Sequence, residues 1–331
     1  MRLKVLCSSV AIWAALTGGV FAAQDVSVEQ WLQRLQEAQS TQSYQGAFVY
    51  ERKGTFSTHE MTRFSSSTGQ LTEHFLQLNG PAHEVVRTNG QVTCISAAIA
   101  DKVNSIEVWP THNIALDPLH QWYDVIVLGE TRTAGRTTAV LLFSPNDQHR
   151  YPVELYLDQA TAVPLRSLLL NERGQLLERF QFVQFQPLPA DSEQKRGNTA
   201  SINCLPVNTQ QELTDPEWAA TAMGRADLNV SWVPPGFVLQ RSNYRPSVDN
   251  DGYVLSQVYS DGLAHFSVFY EKIHNLEIEG GRHQFGPTAV ISRRVMHDRV
   301  PLMITVVGEI PLGSAERIAL SMQSDQESKD D

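Results

Sequence analysis

The sequence predicts a mainly β protein of the α+β class, built from two β-rich domains. Three observations support this. Apolar residues alternate with a period of two over most of the chain, turn signals interrupt the alternation at short intervals, and an aperiodic polar stretch divides the pattern. A chain of 331 residues is also longer than one typical domain, so we expect a separate core in each part.

The chain begins with the layout of a secretory signal peptide, predicted as residues 1–22. Arg2 and Lys4 precede an apolar run, and Val20-Phe21-Ala22 precedes the expected cleavage position. No later stretch approaches the ~20 apolar residues that a spanning helix needs. Without the leader, 24 of the 26 basic side chains remain against 36 acidic ones, a formal charge of −12. This charge disfavours nucleic acid as a partner.

Two cysteines remain once Cys7 leaves with the leader. In an oxidising compartment, Cys94 and Cys204 form either one disulfide or two separate thiols. Sequence spacing does not decide between the two, because it does not give the distance between the residues.

The first element after the leader is an amphipathic helix. Ser27-Val28-Glu29-Gln30 has the form of a capping box, and the apolar residues after it share one face. Ten strands then follow, joined by turns at dipeptides such as Asn89-Gly90. They are predicted at 44–51, 57–64, 71–78, 83–88, 91–95, 123–132, 137–143, 151–158, 165–171 and 175–186. Ten strands in one meander form a large curved sheet whose apolar face needs cover from the helix and from residues 97–122.

A polar linker is predicted at 188–214, between a first domain at 23–187 and a second at 215–323. The second domain is expected to contain strands at 228–233, 237–243, 253–259, 264–270, 290–296 and 303–309. Ser314 is expected to cap a closing helix. The acidic tail, 324–331, is expected to be disordered.

No motif for catalysis is found, so we predict that the protein is not an enzyme and uses no cofactor or metal. His59-Glu60-Met61-Thr62-Arg63 has Arg where a zinc-protease motif needs its second His. The histidines also lack the spacing of a helical metal site.

Apolar side chains on the curved sheet are the main candidates for ligand binding. A strongly bent sheet whose interior a helix fills only partly leaves a cavity that admits acyl chains, although burial in an ordinary core explains each residue singly. The candidates for lining this cavity are Phe48, Tyr50, Phe75, Leu76, Trp109, Trp122, Tyr123, Phe143, Leu168, Phe180 and Phe182.

A basic segment in the second domain runs against the negative charge of the whole chain. It contains Arg282, Arg293, Arg294 and Arg299, with His283 and His297. This segment either holds a phosphate or an acidic peptide, or forms a solvated basic face.

Longer motifs resemble a known family. They include Tyr44-Gln45-Gly46-Ala47-Phe48-Val49-Tyr50-Glu51, Ser231-Trp232-Val233-Pro234-Pro235-Gly236-Phe237, Val258-Tyr259-Ser260-Asp261-Gly262-Leu263 and Val307-Gly308-Glu309-Ile310-Pro311. On these motifs the chain resembles the RseB/MucB family along its predicted mature length.

The resemblance implies a periplasmic negative regulator of the sigma-E (AlgU-type) envelope stress response. It implies a first domain similar to the LolA type, an unclosed antiparallel barrel with covering helices, and a smaller second domain that binds the periplasmic part of a membrane-bound anti-sigma factor of the RseA/MucA type. Lipopolysaccharide or another acyl lipid is the implied releasing signal. The motif positions implied for partner binding are Tyr259, Ser260, Asp261, Gly262, Arg282, Arg293 and Arg294, although Tyr259 and Gly262 also suit a plain hairpin.

The expected mechanism couples two binding events: protection of the anti-sigma factor from proteolysis, and entry of a lipid that weakens that binding. The alternative is a periplasmic lipid or lipoprotein carrier of the LolA type, which needs only the first domain. A homo-oligomer is also compatible with the sequence.

Overall fold

The computed structural model describes residues 26–81, 83–96, 114, 119–189, 204–206, 228–247, 252–273, 279–297 and 300–322. The predicted leader and acidic tail, and most of the predicted linker, lie outside the described residues. Two antiparallel sheets dominate what is described, which confirms the mainly β class.

Eleven strands form the larger sheet. They are β1 (Tyr44–Arg52), β2 (Thr55–Ser65), β3 (Leu71–Gln77), β4 (Glu84–Thr88), β5 (Gln91–Ser96), β6 (Tyr123–Thr133), β7 (Arg136–Pro145), β8 (Val153–Asp158), β9 (Pro164–Leu170), β10 (Leu176–Pro187) and β11 (Cys204–Pro206). Their order is β11-β5-β4-β3-β2-β1-β10-β9-β8-β7-β6, so β6 lies at one edge and β5 and β11 at the other. The sheet is therefore unclosed, as predicted.

The prediction of one ten-strand meander is wrong in one respect. Strands β1 to β5 form one meander and β6 to β10 another, and the pairing of β1 with β10 joins them. Tight-turn signals predict pairing between neighbours in sequence, whereas the β1–β10 contact joins strands far apart in the chain.

A bulge keeps the aromatic side chains of β10 on the inner face. Phe182 lies opposite Phe48, but Gln184 lies opposite Ala47, so Val183 is the extra residue. Val183 is 53% exposed, whereas Phe182 and Phe185 on either side are buried. The extra residue lets two aromatics three positions apart face the same core.

Helix α1 (Val28–Thr41) covers the inner face of the larger sheet. The predicted capping box is confirmed: the Ser27 hydroxyl accepts from the Gln30 backbone N–H, and the Gln30 side chain accepts from the Ser27 N–H. Trp31 and Leu35 are among the helix residues that are buried against the sheet. A second, short helix, α2 (Leu119–Trp122), leads directly into β6.

Six strands form the smaller sheet: β12 (Val238–Pro246), β13 (Tyr253–Ser260), β14 (His265–Lys272), β15 (Gly281–Phe285), β16 (Thr288–His297) and β17 (Val300–Gly308). Their order is β12-β13-β14-β17-β16-β15. Helix α3 (Leu312–Ser321) packs on β16 and β17 and buries Ala315, Ile318 and Ala319.

Two local predictions for this part are wrong. Residues 228–233 form no strand, because their polar groups bond to side chains: the carbonyl of Leu228 accepts from Gln257, and the N–H of Trp232 donates to Ser321. Ser314 is not the cap of α3, which has Pro311 at that position. Strands β11 and β15 were not predicted.

Candidate functional site between the two sheets

A cavity of about 70 Å³ lies where helix α1 and the larger sheet meet the smaller sheet. Most of its wall belongs to the helix and the larger sheet, but Leu263, Ala264 and Glu309 come from the smaller sheet's side. A molecule that fills the cavity therefore contacts both parts of the protein. The lining residues are Leu35, Ala38, Gln39, Tyr44, Arg63, Ile114, Tyr123, Tyr151, Val153, Leu155, Val163, Pro164, Ser167, Leu169, Glu178, Leu263, Ala264 and Glu309.

The larger sheet fills most of its own interior with aromatic side chains. Phe48, Phe180 and Phe182 are buried, with ring centroids 4.7 Å apart for Phe48 and Phe180 and 5.1 Å for Phe180 and Phe182. Phe75 and Phe143 belong to the same core. Among the predicted lining residues that the structure describes, Tyr123 alone is part of the cavity wall. Alternation predicts the inward face, but it does not show which inward side chains pack against each other.

The remaining predicted lining residues lie elsewhere. Leu168 packs with Val140 and Tyr156 in a cluster apart from the main core. The hydroxyl of Tyr50 donates to Glu178 at 2.6 Å, and Leu76 is half-buried. Of the last two predicted lining residues, Trp122 lies at the contact between the sheets, and Trp109 lies outside the described residues.

Arg150 and Asp261 form a buried ion pair between the two sheets, and neither side chain has any exposed surface. Nε of Arg150 donates to Oδ2 of Asp261 at 2.5 Å, and the hydroxyl of Tyr123 donates to the same oxygen at 3.0 Å. The other two guanidinium nitrogens donate to Asp147 and to the carbonyl of Pro235. Such a fully bonded pair aligns the two sheets, since a partner left alone is a buried, uncompensated charge.

Aromatic rings enclose this ion pair. The guanidinium carbon of Arg150 is 5.1 Å from the centre of the Trp122 ring and 4.8 Å from that of Phe237. Burial, together with the charge of Asp261, raises the pKa of Tyr123 well above its usual value. The Tyr123 hydroxyl therefore remains a proton donor to the ion pair.

A second polar contact crosses between the sheets at Arg52. Its Nη2 donates to Glu178 of β10 at 2.5 Å and to Glu309 at 2.6 Å, and its Nη1 donates to Thr288 of β16 at 3.1 Å. Glu178 and Glu309 also line the cavity. The Arg52 contact therefore lies at the wall of the cavity.

His149 makes a third contact between the sheets. Its Nδ1 lies 2.9 Å from the hydroxyl of Ser314 in α3, and its ring packs edge-on against Trp232 with 5.3 Å between centroids. Burial lowers the pKa of His149, Arg317 and Arg150 act in the same direction, and Asp147 opposes them. The docked arrangement thus favours the neutral imidazole.

The predicted partner-binding motif Tyr259 to Gly262 builds the β13–β14 hairpin. Tyr259 is buried and stacks on Phe266 with 5.0 Å between centroids. The hydroxyl of Ser260 donates to the Ala264 carbonyl, and Gly262 has a φ of 101°, which a residue with a side chain adopts only under strain. Asp261 turns toward Arg150 and is 1% exposed, so in this arrangement its carboxylate is not on the surface.

The predicted basic residues lie on the opposite part of the smaller sheet. Arg282 on β15 and Arg293 and Arg294 on β16 are exposed, and Arg282 lies 3.4 Å from Glu316 of α3. A shallow groove of about 280 Å³ lies between Arg282 and Arg293 on one side and helix α3 on the other. It is lined by Gly280, Gly281, Arg282, Ile291, Ser292, Arg293, Glu316, Ala319 and Leu320. Arg299 lies outside the described residues.

Cys94 takes part in a disulfide bond. Its strand, β5, pairs with β11, the strand that carries Cys204. Within the described ranges, no group of three His, Cys, Asp or Glu side chains is placed to hold a metal ion. No helix in those ranges combines the length and the apolar character needed to cross a membrane.

Comparisons with known proteins agree over both parts of the chain. Residues 27–201 match the MucB/RseB N-terminal domain, and residues 223–323 match the MucB/RseB C-terminal domain. The sigma factor AlgU regulatory protein MucB of Pseudomonas aeruginosa is 45% identical over 302 residues, which cover 91% of this chain and 92% of that protein. The sigma-E factor regulatory protein RseB of Escherichia coli K12 is 26% identical over 304 residues, covering 87% and 88%.

Similarity extends to the three-dimensional structure. A crystal structure of MucB in complex with MucA(peri) superimposes with a TM-score of 0.73 at 44% identity, and the match covers 89% of this chain and 98% of that one.

Proposed function

Because this chain belongs to the MucB/RseB family, we propose that it binds the periplasmic part of a membrane-bound anti-sigma factor of the RseA/MucA type. Binding shields that segment from regulated proteolysis, and the envelope-stress sigma factor consequently stays repressed. The observation that carries this proposal is the likeness, over nearly all of both chains, to MucB as crystallised with MucA(peri). The predicted leader accords with action in the periplasm.

The exposed basic groove is the proposed contact for the anti-sigma segment. Arg282 and Arg293 line it, in a protein whose overall charge is negative, whereas Arg294 follows Arg293 on β16 and lies on the other face of the sheet. An extended segment carrying carboxylates would pair with the guanidinium groups of Arg282 and Arg293 at the surface. The hairpin residues Tyr259 to Gly262 contribute indirectly, because they form the turn that presents Asp261 to Arg150 and Tyr123 of the larger sheet.

The cavity between the sheets is the proposed site for a lipid signal. Its 70 Å³ is about half the ~150 Å³ of an engineered apolar cavity that binds benzene. A short acyl segment fits, and a longer one has to displace part of the wall. Leu263 and Ala264 belong to the hairpin that carries Asp261, so displacing them strains the Arg150–Asp261 pair. Lipid entry therefore favours a different arrangement of the two sheets, and the coupling is reciprocal.

Capture of an anti-sigma fragment tests the binding proposal. The purified periplasmic fragment of a MucA-type protein is titrated with the full mature chain, and we expect saturable binding that Arg282→Glu combined with Arg293→Glu weakens. The matched control combines Arg132→Glu with Arg241→Glu, which reverses the same number of charges at exposed positions on other strands. Equal weakening by both double variants would refute the proposed groove.

Adding lipopolysaccharide to the capture experiment distinguishes this function from that of a lipid carrier. For a regulator, added lipopolysaccharide lowers capture of the fragment and the fragment lowers lipid affinity by the same factor. A carrier of the LolA type binds lipid without any such reciprocal effect. Absence of fragment binding to the wild-type chain would refute the regulatory proposal.

A further inference from the structure

Two residues of the cavity wall each carry a buried hydrogen-bond donor that the contact between the sheets does not use. Arg63 and Gln39 both line it. The Nε of Arg63 and the Nε2 of Gln39 are shielded from solvent, and neither has a hydrogen-bond partner in the described part of the chain. A buried N–H without an acceptor is unfavourable, so these groups favour a ligand that supplies one.

The other polar atoms of both side chains are held in place. The Arg63 side chain is 7% exposed, its Nη1 donates to Glu73 at 3.0 Å, and its Nη2 donates to the backbone carbonyl of Gln39. The Oε1 of Gln39 accepts from the backbone N–H of Ile114 at 2.7 Å. Tyr44 lies beside the guanidinium, and burial raises the pKa of its hydroxyl, which therefore stays neutral. The two unused donors thus belong to a preorganised polar patch.

The rest of the wall defines the kind of molecule that carries the acceptor. Leu35, Ala38, Leu155, Leu169 and Leu263 offer hydrocarbon contact. Glu178 and Glu309 also face the space and already share Arg52, so a ligand carboxylate would add a third negative charge. A neutral carbonyl oxygen accepts hydrogen bonds from such donors without adding a charge.

We propose that Arg63 and Gln39 bind the carbonyl oxygen of an ester-linked acyl chain, whose hydrocarbon lies along the apolar wall. This inference rests on the proposed lipid signal and names the group by which the signal is recognised. It also sets a selectivity rule: an acyl ester binds more tightly than an alkyl ether of the same length, because the ether has no carbonyl oxygen.

Titration of the full mature chain with 1-decanoylglycerol and with 1-O-decylglycerol tests this rule. The two probes differ only at the carbonyl, and we expect the ester to bind about tenfold more tightly, the effect of one to two good hydrogen bonds. Free decanoate forms the third arm and is expected to bind more weakly than the ester. Tighter binding of decanoate would overturn the ester assignment in favour of a free acid.

Gln39→Glu is the decisive variant, because it keeps the size of the side chain and the oxygen that accepts from Ile114, but replaces the donor with a second oxygen. We expect the ester-to-ether ratio to fall to about one. Gln36→Glu adds the same charge at an exposed position of the same helix and is expected to keep the wild-type ratio.

Equal binding of ester and ether by the wild-type chain would overturn the proposal. Such a result is expected where the two donors bond only to trapped water. An unchanged ratio in Gln39→Glu would also overturn the proposal. In either case, capture of the anti-sigma fragment is unaffected, whereas failure of that capture in the wild-type chain refutes the proposed function and leaves the ester-to-ether ratio intact.

Discussion

Replacing Asp261 with Asn tests whether the buried ion pair with Arg150 holds the two sheets together. Asn keeps the size of the side chain, and its oxygen still accepts from the backbone N–H groups of Leu263 and Ala264, to which Oδ1 now bonds at 2.9 and 2.7 Å. The change therefore leaves the hairpin bonded and removes the charge that faces Arg150 and Tyr123.

Removing one partner of a buried ion pair costs about 3–5 kcal/mol, because the other charge stays buried. Asp147 still bonds Arg150 and is partly exposed, so we expect the lower end, about 3 kcal/mol of unfolding free energy. At about 2–4 °C per kcal/mol for a chain of this size, the melting temperature falls by roughly 6–12 °C.

Urea unfolding and a thermal scan measure this loss, and a double-mutant cycle with Arg150→Met isolates the pair itself. The double variant is expected to lose less than the sum of the two single variants. Arg282→Met is the matched control, since its partner Glu316 is 3.4 Å away and both side chains are largely exposed, and its expected cost is about 0–1 kcal/mol. A loss below about 1 kcal/mol for Asp261→Asn, or strictly additive effects, would refute the reasoning.

Three further changes probe the same contact by urea unfolding. The pKa of His149 is lowered in the folded protein, so its stabilising contribution is present above about pH 6.5 and is lost as pH falls through the folded value. His149→Gln is therefore expected to flatten the dependence of unfolding free energy on pH between about pH 7 and 5. An unchanged dependence would contradict this. Gly236→Ala places a Cβ 2.2 Å from Nε1 of Trp122 at a φ of +87° and is expected to cost about 1–3 kcal/mol, more than Gly135→Ala, which has a similar φ and open space around it. Arg52→Met leaves the two carboxylates it bridges facing each other and is expected to cost about 1–2 kcal/mol at low salt, with a smaller loss at high salt; a loss independent of salt would argue against this account.

Local patterns account for most of the secondary structure. The capping box at Ser27 and the helix after it are confirmed, and all ten strands predicted in the first part are present within a few residues. Two strands were not predicted. Strand β11 is three residues long and lies in a polar segment, and β15, with Gly281 and three exposed residues, lacks a clear apolar alternation. Short or polar strands gain their stability from the neighbour they pair with, which a local pattern does not include.

Only the general type of the candidate site could be predicted from the sequence. The sequence by itself determined an apolar inner face, a basic segment in the second part, and motifs long enough to identify the family. Only the tertiary structure decided that Phe48, Phe180 and Phe182 fill the interior and that Asp261 meets Arg150, 111 positions away in the chain. A period of two determines the face on which a side chain lies, but which surface packs against that face depends on contacts between distant segments.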